Sequence, residues 1–447
     1  VSPNLSLGHY CAQNQSLLRD LAHTCVLLRS ISLTDYPFYN MHPSITAIAS
    51  LCLFAAHPLT ASPSEILSFE SISSRIRNHN PELAAAGFRI DEALGLAKQS
   101  GRLSNPSLES GISSNTRANE GNIEIGLTQK FPLTDRLRIE KEISATEIQV
   151  AEAEVKNVER LLISDARQEF VKILAIRERK SLLKQQQELA IELAEFISEK
   201  SKQGEISPLD AAQAKLASLQ LTTQERLLNT EETAALGKLR PLLGIAPETA
   251  VTLSGNPSTI AASKNISIER PDLAAAKLHL RATEAGIALE RANRREDIAA
   301  SFFATEERSE DAPNGFDNET IIGFKLSIPL PFWNNNQGNI DAATARHNRK
   351  EQEVKALANQ INHESNTALT EIRQWAALIT ELEDKLLPLA KEQTDLLEKS
   401  YKQGQGDLQL VLNSRQQTLE LLASKIDATR EFHLANIRHQ ASRGGNF

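Results

Sequence analysis

The residues of this 447-residue chain that could do chemistry gather at two glycine turns. The second reads Tyr401-Lys402-Gln403-Gly404-Gln405-Gly406-Asp407, and Tyr401 is the only tyrosine after residue 40. Copies of Asp407 ringing a narrow pore would concentrate negative potential and attract cations. An aspartate just after a turn glycine also suits a helix N-cap, and the sequence leaves both readings open. Tyr401 can likewise block a pore or pack the turn. In the first turn, Ser201-Lys202-Gln203-Gly204, Asp210 poses the same choice, with the cap the better fit. The histidines at 79, 279, 347, 363, 433 and 439 show no pair spaced by three or four, as a helical zinc site would need, and read as packed or solvated. There is no phosphate loop, no Gly-x-Ser-x-Gly and no nucleophile with an evident base, so neither enzyme, cofactor nor metal site is expected. A net charge of -8 argues against a nucleic-acid partner.

The elements that must position these turns come in two copies. Asn80-Pro81-Glu82-Leu83-Ala84 returns as Arg270-Pro271-Asp272-Leu273-Ala274, Gly126-Leu127 as Gly323-Phe324, and Ser201-Lys202-Gln203-Gly204 as Tyr401-Lys402-Gln403-Gly404. A repeat of about 190 to 200 residues is far beyond the roughly 20 to 50 of a solenoid unit, so each copy is half of one pseudo-symmetric body. The first repeat is read as 64–255, the second as 270–441, with a polar linker at 256–269 and a tail at 442–447.

Within each repeat the hydrophobic period changes. Ile123, Ile125 and Leu127 alternate with polar or small residues, as do Ile322, Phe324, Leu326 and Ile328. This predicts strands at 106–114, 121–132, 297–307 and 319–329. Pro132, Pro329 and Pro331 mark strand-to-helix turns, because proline cannot donate to a ladder. Long helical patterns follow at 135–203 and 206–243, then at 339–403 and 407–440. Seams run through Leu209, Leu216, Leu219 and Leu227, and through Leu369, Ile372, Ala376, Ile379, Leu382, Leu386 and Leu389. Pro388 should kink the longer helix. Trp333 and a few phenylalanines provide a thin aromatic girdle.

Residues 41–61, with an apolar run from Ile45 to Ala56 ahead of Ala61, read as a signal peptide, and 1–40 as a disordered upstream extension. All three cysteines (Cys11, Cys25, Cys52) precede the expected cleavage point, so no disulfide is expected beyond it. No run reaches the roughly 18 apolar residues of a spanning helix, so membrane crossing would require a β-barrel. Four strands cannot close one, since membrane barrels have about eight or more. A homotrimer would supply twelve strands and twelve long helical passes.

From Ser64 to Gln440 the chain resembles the TolC-type outer membrane efflux proteins. The resemblance rests on the duplication, on the turns Lys200 to Asp210 and Lys399 to Leu408, and on the passage Ser327 to Gly338, which looks most like the CzcC-like heavy-metal branch. It implies a mainly α fold with a small membrane β part, whose trimer joins a 12-stranded β-barrel in outer membrane lipid to an α-helical periplasmic tunnel. It implies a passive exit duct in a Gram-negative outer membrane, fed by a periplasmic adaptor and an inner-membrane pump of the resistance-nodulation-division class, with divalent heavy-metal cations as cargo. Gln203, Gly204, Gln403 and Gly404 would then meet the adaptor, and Tyr401 and Asp407 would form the gate. Gly406 stands where some relatives carry a gate arginine. Drug or type I protein or peptide export through the same fold is the alternative. A periplasmic coiled-coil adaptor is a further one, against which the alternating strands speak.

Overall fold

The computed structural model describes residues 65–249, 251–255, 269–311 and 313–445. The upstream extension, the signal peptide, the three cysteines, Phe447 and all but the last residue of the linker lie outside them. The first repeat starts with β1 (Glu65–Leu67), α1 (Ser71–His79) and α2 (Pro81–Gln99). Asn80 breaks α1 from α2: its Oδ1 accepts from the Leu83 N–H at 2.7 Å, and Pro81 opens the new helix, where a missing N–H costs nothing. The Asn80 Nδ2 donates to the Leu242 carbonyl at 2.7 Å, tying this break to the far end of the repeat.

A hairpin of β2 (Ser107–Ser114) and β3 (Gly121–Phe131) leads into α3 (Arg136–Lys202), 67 residues without a glycine or proline. At about 1.5 Å per residue it is about 100 Å long. The return helix α4 (Pro208–Leu242) leads to β4 (Val251–Leu253), which pairs in parallel with β1. The main core lies where α1, the middle of α3 and the end of α4 meet, around Ile72, Ile76, Ile163, Phe170, Leu239 and Leu243. Burying each such side chain contributes about 1.5–3 kcal/mol. The packed face of α4 repeats every seven residues through Ala214, half-buried Leu221, Leu228 and Ala235. Leu209, Leu216, Leu219 and Leu227, expected to form that seam, are exposed on another face. Both stripes fit a helical period, but only the packed one steps by seven throughout, and its two alanines permit the closer approach.

The second repeat runs through α5 (Pro271–Ala292), β5 (Ile298–Asp311), β6 (Gly315–Ser327), α6 (Gln337–Glu381), α7 (Leu387–Lys402) and α8 (Leu408–Ser442). A single π turn, Leu382–Leu386, separates α6 from α7, and there the Leu387 N–H bonds the Leu382 carbonyl five residues back. The turn lies just before Pro388, which cannot make the bond four residues back and would clash with that carbonyl. The extra residue moves the seam by one position. Leu382 is buried, but Ala390 and Thr394 follow it inward, while Leu386 and Leu389 are exposed.

The four long strands form one antiparallel sheet in the order β2-β3-β5-β6, which leaves β2 and β6 as free edges. Below it, ion pairs fasten α5 to α6, and Arg160 of α3 reaches across the repeats to Asp272 at 4.0 Å. Arg270, at the N-terminus of α5, grips Asp272 and reaches Glu364 of α6. Buried Arg160 of α3 donates to the Ala441 carbonyl of α8 at 3.0 Å.

Candidate functional site

The two faces of the sheet differ in chemistry. The register puts Leu108, Leu127, Phe302 and Phe324 in one lateral row, with Ser110, Ile125, Ala304 and Ile322 in the row beside it. Side chains alternate along a strand, so these rows share a face, and its large apolar members are all exposed. The opposite face carries Glu109, Glu124, Thr128, Glu307, Glu319 and Lys325. There Phe303 lies over Gly323, where an added Cβ would come within 2.3 Å of the ring. Glycine at 323 is what lets the aromatic ring lie flat against the wall. Along β6 and one residue beyond it, the row runs from Thr320 to Ile328. Eight steps of about 3.4 Å, tilted by about 40°, rise about 20 Å, close to the apolar band of about 25 Å on outer-membrane barrels. Among the described residues no helix is long and apolar enough to cross a membrane.

At the other end, both helical hairpins turn through the same cap. Gly204 and Gly404 take φ of 78° and 76°, a conformation open to glycine, directly after the C-caps Gln203 and Gln403. The Glu205 N–H reaches the Lys200 carbonyl and the Gly204 N–H the Ser201 carbonyl, each at 3.0 Å, and Gln405 and Gly404 repeat the pattern with Ser400 and Tyr401. This is the Schellman arrangement, which satisfies the last carbonyls of a helix.

Asp407 is the N-cap of α8, its Oδ1 accepting from the Gln409 N–H at 2.8 Å. In the first turn the cap is Ser207, whose Oγ accepts from the Leu209 N–H at 3.1 Å. Asp210, expected to cap, lies instead inside the first turn of α4, where its charge complements the helix dipole. Tyr401 packs between the hairpins, against the buried cluster of Ile197 and Ala214 from the first and Leu408 from its own, which Ile206 and Leu412 also border. Its hydroxyl is buried without a hydrogen-bond partner among the described residues. Burial, reinforced by the carboxylates of Asp210 and Asp407, raises the phenol above its usual 10.0, so it stays neutral. Gly406 lies against this residue: a Cβ there would meet the Tyr401 backbone nitrogen at 2.9 Å. A longer side chain at 406 requires the loop to move.

The structure thus gathers Tyr401, Asp407, Gly404 and the first-turn Asp210 at one end, and leaves Pro132, Pro329 and Pro331 at the other. Pro132 directly follows β3, whereas β6 already ends two residues before Pro329. Sequence reasoning missed a buried hydroxyl cluster between α7 and α8, where the Thr394 Oγ1 meets the Ser414 Oγ at 2.8 Å and the Thr418 Oγ1 at 2.9 Å. It also missed the groove among α3, α4 and α8, where the amides of Gln213, Gln220, Gln224, Gln409, Asn413 and Gln416 alternate with leucines and alanines. The amides at 213 and 220 and those at 409 and 416 are each seven residues apart, a spacing visible in the sequence. Among the described residues no group of three histidine, cysteine, aspartate or glutamate side chains could hold a metal ion.

Comparisons with known proteins bear on this geometry. The sequence pattern described as "Outer membrane efflux protein" matches residues 72–245 and 263–445, one copy on each repeat. The cobalt-zinc-cadmium resistance protein CzcC of Cupriavidus metallidurans is 25% identical over 344 residues, covering 73% of this chain and 78% of that protein. Crystal structures of CusC superpose with a TM-score of 0.72 at 18% identity, covering 85% of this chain and 92% of that one. The Campylobacter jejuni CmeC outer membrane channel gives 0.68 at 16% identity, covering 85% and 86%. The open state of the Neisseria gonorrhoeae MtrE outer membrane channel gives 0.64 at 16% identity, covering 84% and 89%.

Proposed function

Since this chain belongs to the outer membrane efflux protein family, we propose that three copies form its duct, the exit channel of a tripartite exporter. The observation that carries this is the four-stranded sheet with an apolar face, a polar face and two free edges, borne on helices about 100 Å long. An open edge cannot stand in lipid, because its unpaired N–H and C=O groups would have no partner. Pairing β6 of one copy with β2 of the next removes every edge and gives twelve strands. The apolar face then turns to lipid, and the polar face lines the lumen.

The duct works passively, without chemistry of its own, and an inner-membrane pump of the resistance-nodulation-division class supplies the energy. A periplasmic adaptor meets the tips at Gln203, Gly204, Gln403 and Gly404. The amide-lined groove between α4 and α8 extends that surface with groups that donate and accept hydrogen bonds. Opening swings the second hairpin away from the first. The π turn is its hinge, and withdrawal of Tyr401 from the buried cluster of Ile197 and Ala214 is its release.

The cargo is divalent heavy-metal cations, a reading supported by the likeness to CzcC over most of both chains. Deleting the gene and plating on graded zinc, cobalt and cadmium tests it. Tolerance of at least one metal should fall and return on complementation. Unchanged metal tolerance with a new sensitivity to drugs or dyes would assign the duct to another cargo.

A further inference from the structure

The polar face of the sheet changes sign along its length. At the end next to the helices its charged side chains are Lys130 and Lys325, both exposed and neither ion-paired among the described residues. In the hollow below Lys130, Arg295 and Glu296 stand together and Arg136 pairs with Asp297 at 2.7 Å, so nothing there offsets the two lysines. Toward the hairpin tips the same face carries Glu124, then Glu307 and Glu319, then Asp317, all exposed. The register sets Glu307 directly opposite Glu319, an arrangement of like charges that destabilises a sheet. No lysine or arginine of the four strands relieves it. Arg308 alternates to the outer face, where its guanidinium lies 5.0 Å from the centre of the Phe316 ring. An uncharged belt of Gly126, Phe303 and Gly323 separates the two zones, with Glu109 beside it on the edge strand.

We infer that the barrel lumen is bipolar, a basic throat beneath an acidic mouth, and that Lys130 and Lys325 make the throat a barrier to cations entering from outside. Each copy gives the throat two ammonium groups and the mouth four carboxylates. Rings of one sign inside a low-dielectric wall concentrate ions of the opposite sign and exclude their own. Cations therefore gather at the mouth and are depleted in the throat. Such a barrier slows both directions alike, but export is driven by the pump and return is not. This inference rests on the barrel reading.

The chain after residue 61 has no cysteine, so Ser327→Cys, level with Lys130, and Ser309→Cys, opposite Asp317, each place one thiol on the polar face at a known depth. The full protein is inserted into phosphatidylcholine vesicles, whose headgroups have no net charge, and treated with cationic and anionic methanethiosulfonates of similar size. The ratio of the two rates on one thiol cancels the thiol's own ionisation and reads the local potential. At about 0.01 M salt, where screening acts over about 30 Å, the cationic-to-anionic ratio should be about tenfold or more higher at 309 than at 327. Lys130→Gln with Lys325→Gln should raise the ratio at 327 severalfold and leave that at 309 nearly unchanged, and about 1 M salt should erase the contrast. Equal ratios at the two depths, or a ratio at 327 that ignores the lysines, overturns the bipolar lumen. Failure to insert, or thiols that neither reagent reaches at either depth, would sink the barrel reading itself, and this inference with it.

Discussion

At the scale of single residues, Asp407 and Tyr401 divide structural from gating roles. Asp407 caps α8, and asparagine caps as well as aspartate, so Asp407→Asn removes charge while keeping the cap. Asp407→Ala should cost about 1 kcal/mol in thermal unfolding, and Asp407→Asn close to nothing. If the charge seals the duct, both variants admit large antibiotics into cells. If Asp407 only caps, Asp407→Asn stays as tight as the parent. Tyr401 contributes through its ring, since its hydroxyl has no hydrogen-bond partner among the described residues. Tyr401→Phe should therefore match or exceed the parent in stability, while Tyr401→Ala loosens the contact between hairpins and raises antibiotic entry. Because its pKa is raised, the folded tip favours the protonated phenol. Stability from this source is complete below pH 10 and declines as the pH rises through the folded pKa, which urea titrations of the parent and Tyr401→Phe will show. Tyr401 and Asp407 could be singled out in the sequence because a tyrosine and an aspartate flank a glycine turn. Their partners could not, because the Ile197 and Ala214 cluster meets Tyr401 only once two distant helices fold together.

At the scale of elements, the interrupted second hairpin differs from the uninterrupted α3. Pro388 announced a break, and the seam leading to Leu382 could be followed in sequence. The added π residue could not, since a heptad count assumes constant pitch and so puts Leu386 and Leu389 inward, whereas Ala390 and Thr394 are the buried positions. The mistaken face of α4 has a different cause: two apolar stripes of similar spacing compete, and backbone approach decides between them. Removal of Glu383 should convert the π turn to α-helix and keep the inward positions in phase. With Pro388 still present that change costs about 3 kcal/mol, because the proline regains its clash. Combined with Pro388→Ala, it should restore stability in thermal melts while impairing export, as expected for a lost hinge. Full export by the straightened variant would contradict the hinge.

At the scale of the whole molecule, duplication could be read from residues recurring about 190 to 200 positions on, and alternating strands and helices of unusual length because each is a local period repeated many times. Lateral order could not: that β3 lies beside β5, and that β2 and β6 are left as edges, depends on pairing between repeats. The central claim is that these two edges meet between copies. Ser110→Cys on β2 can be combined in turn with single cysteines at positions 318 to 326 of β6, in protein whose chain after residue 61 has no cysteine of its own. Within one copy β3 and β5 hold these strands about 14 Å apart, beyond the reach of a disulfide, so any bond formed joins two copies. Oxidation in isolated outer membranes should produce linked species of two and three chains, and none larger, at one register of the panel. Chains that remain monomeric at every register, or a ladder beyond three, would contradict the account.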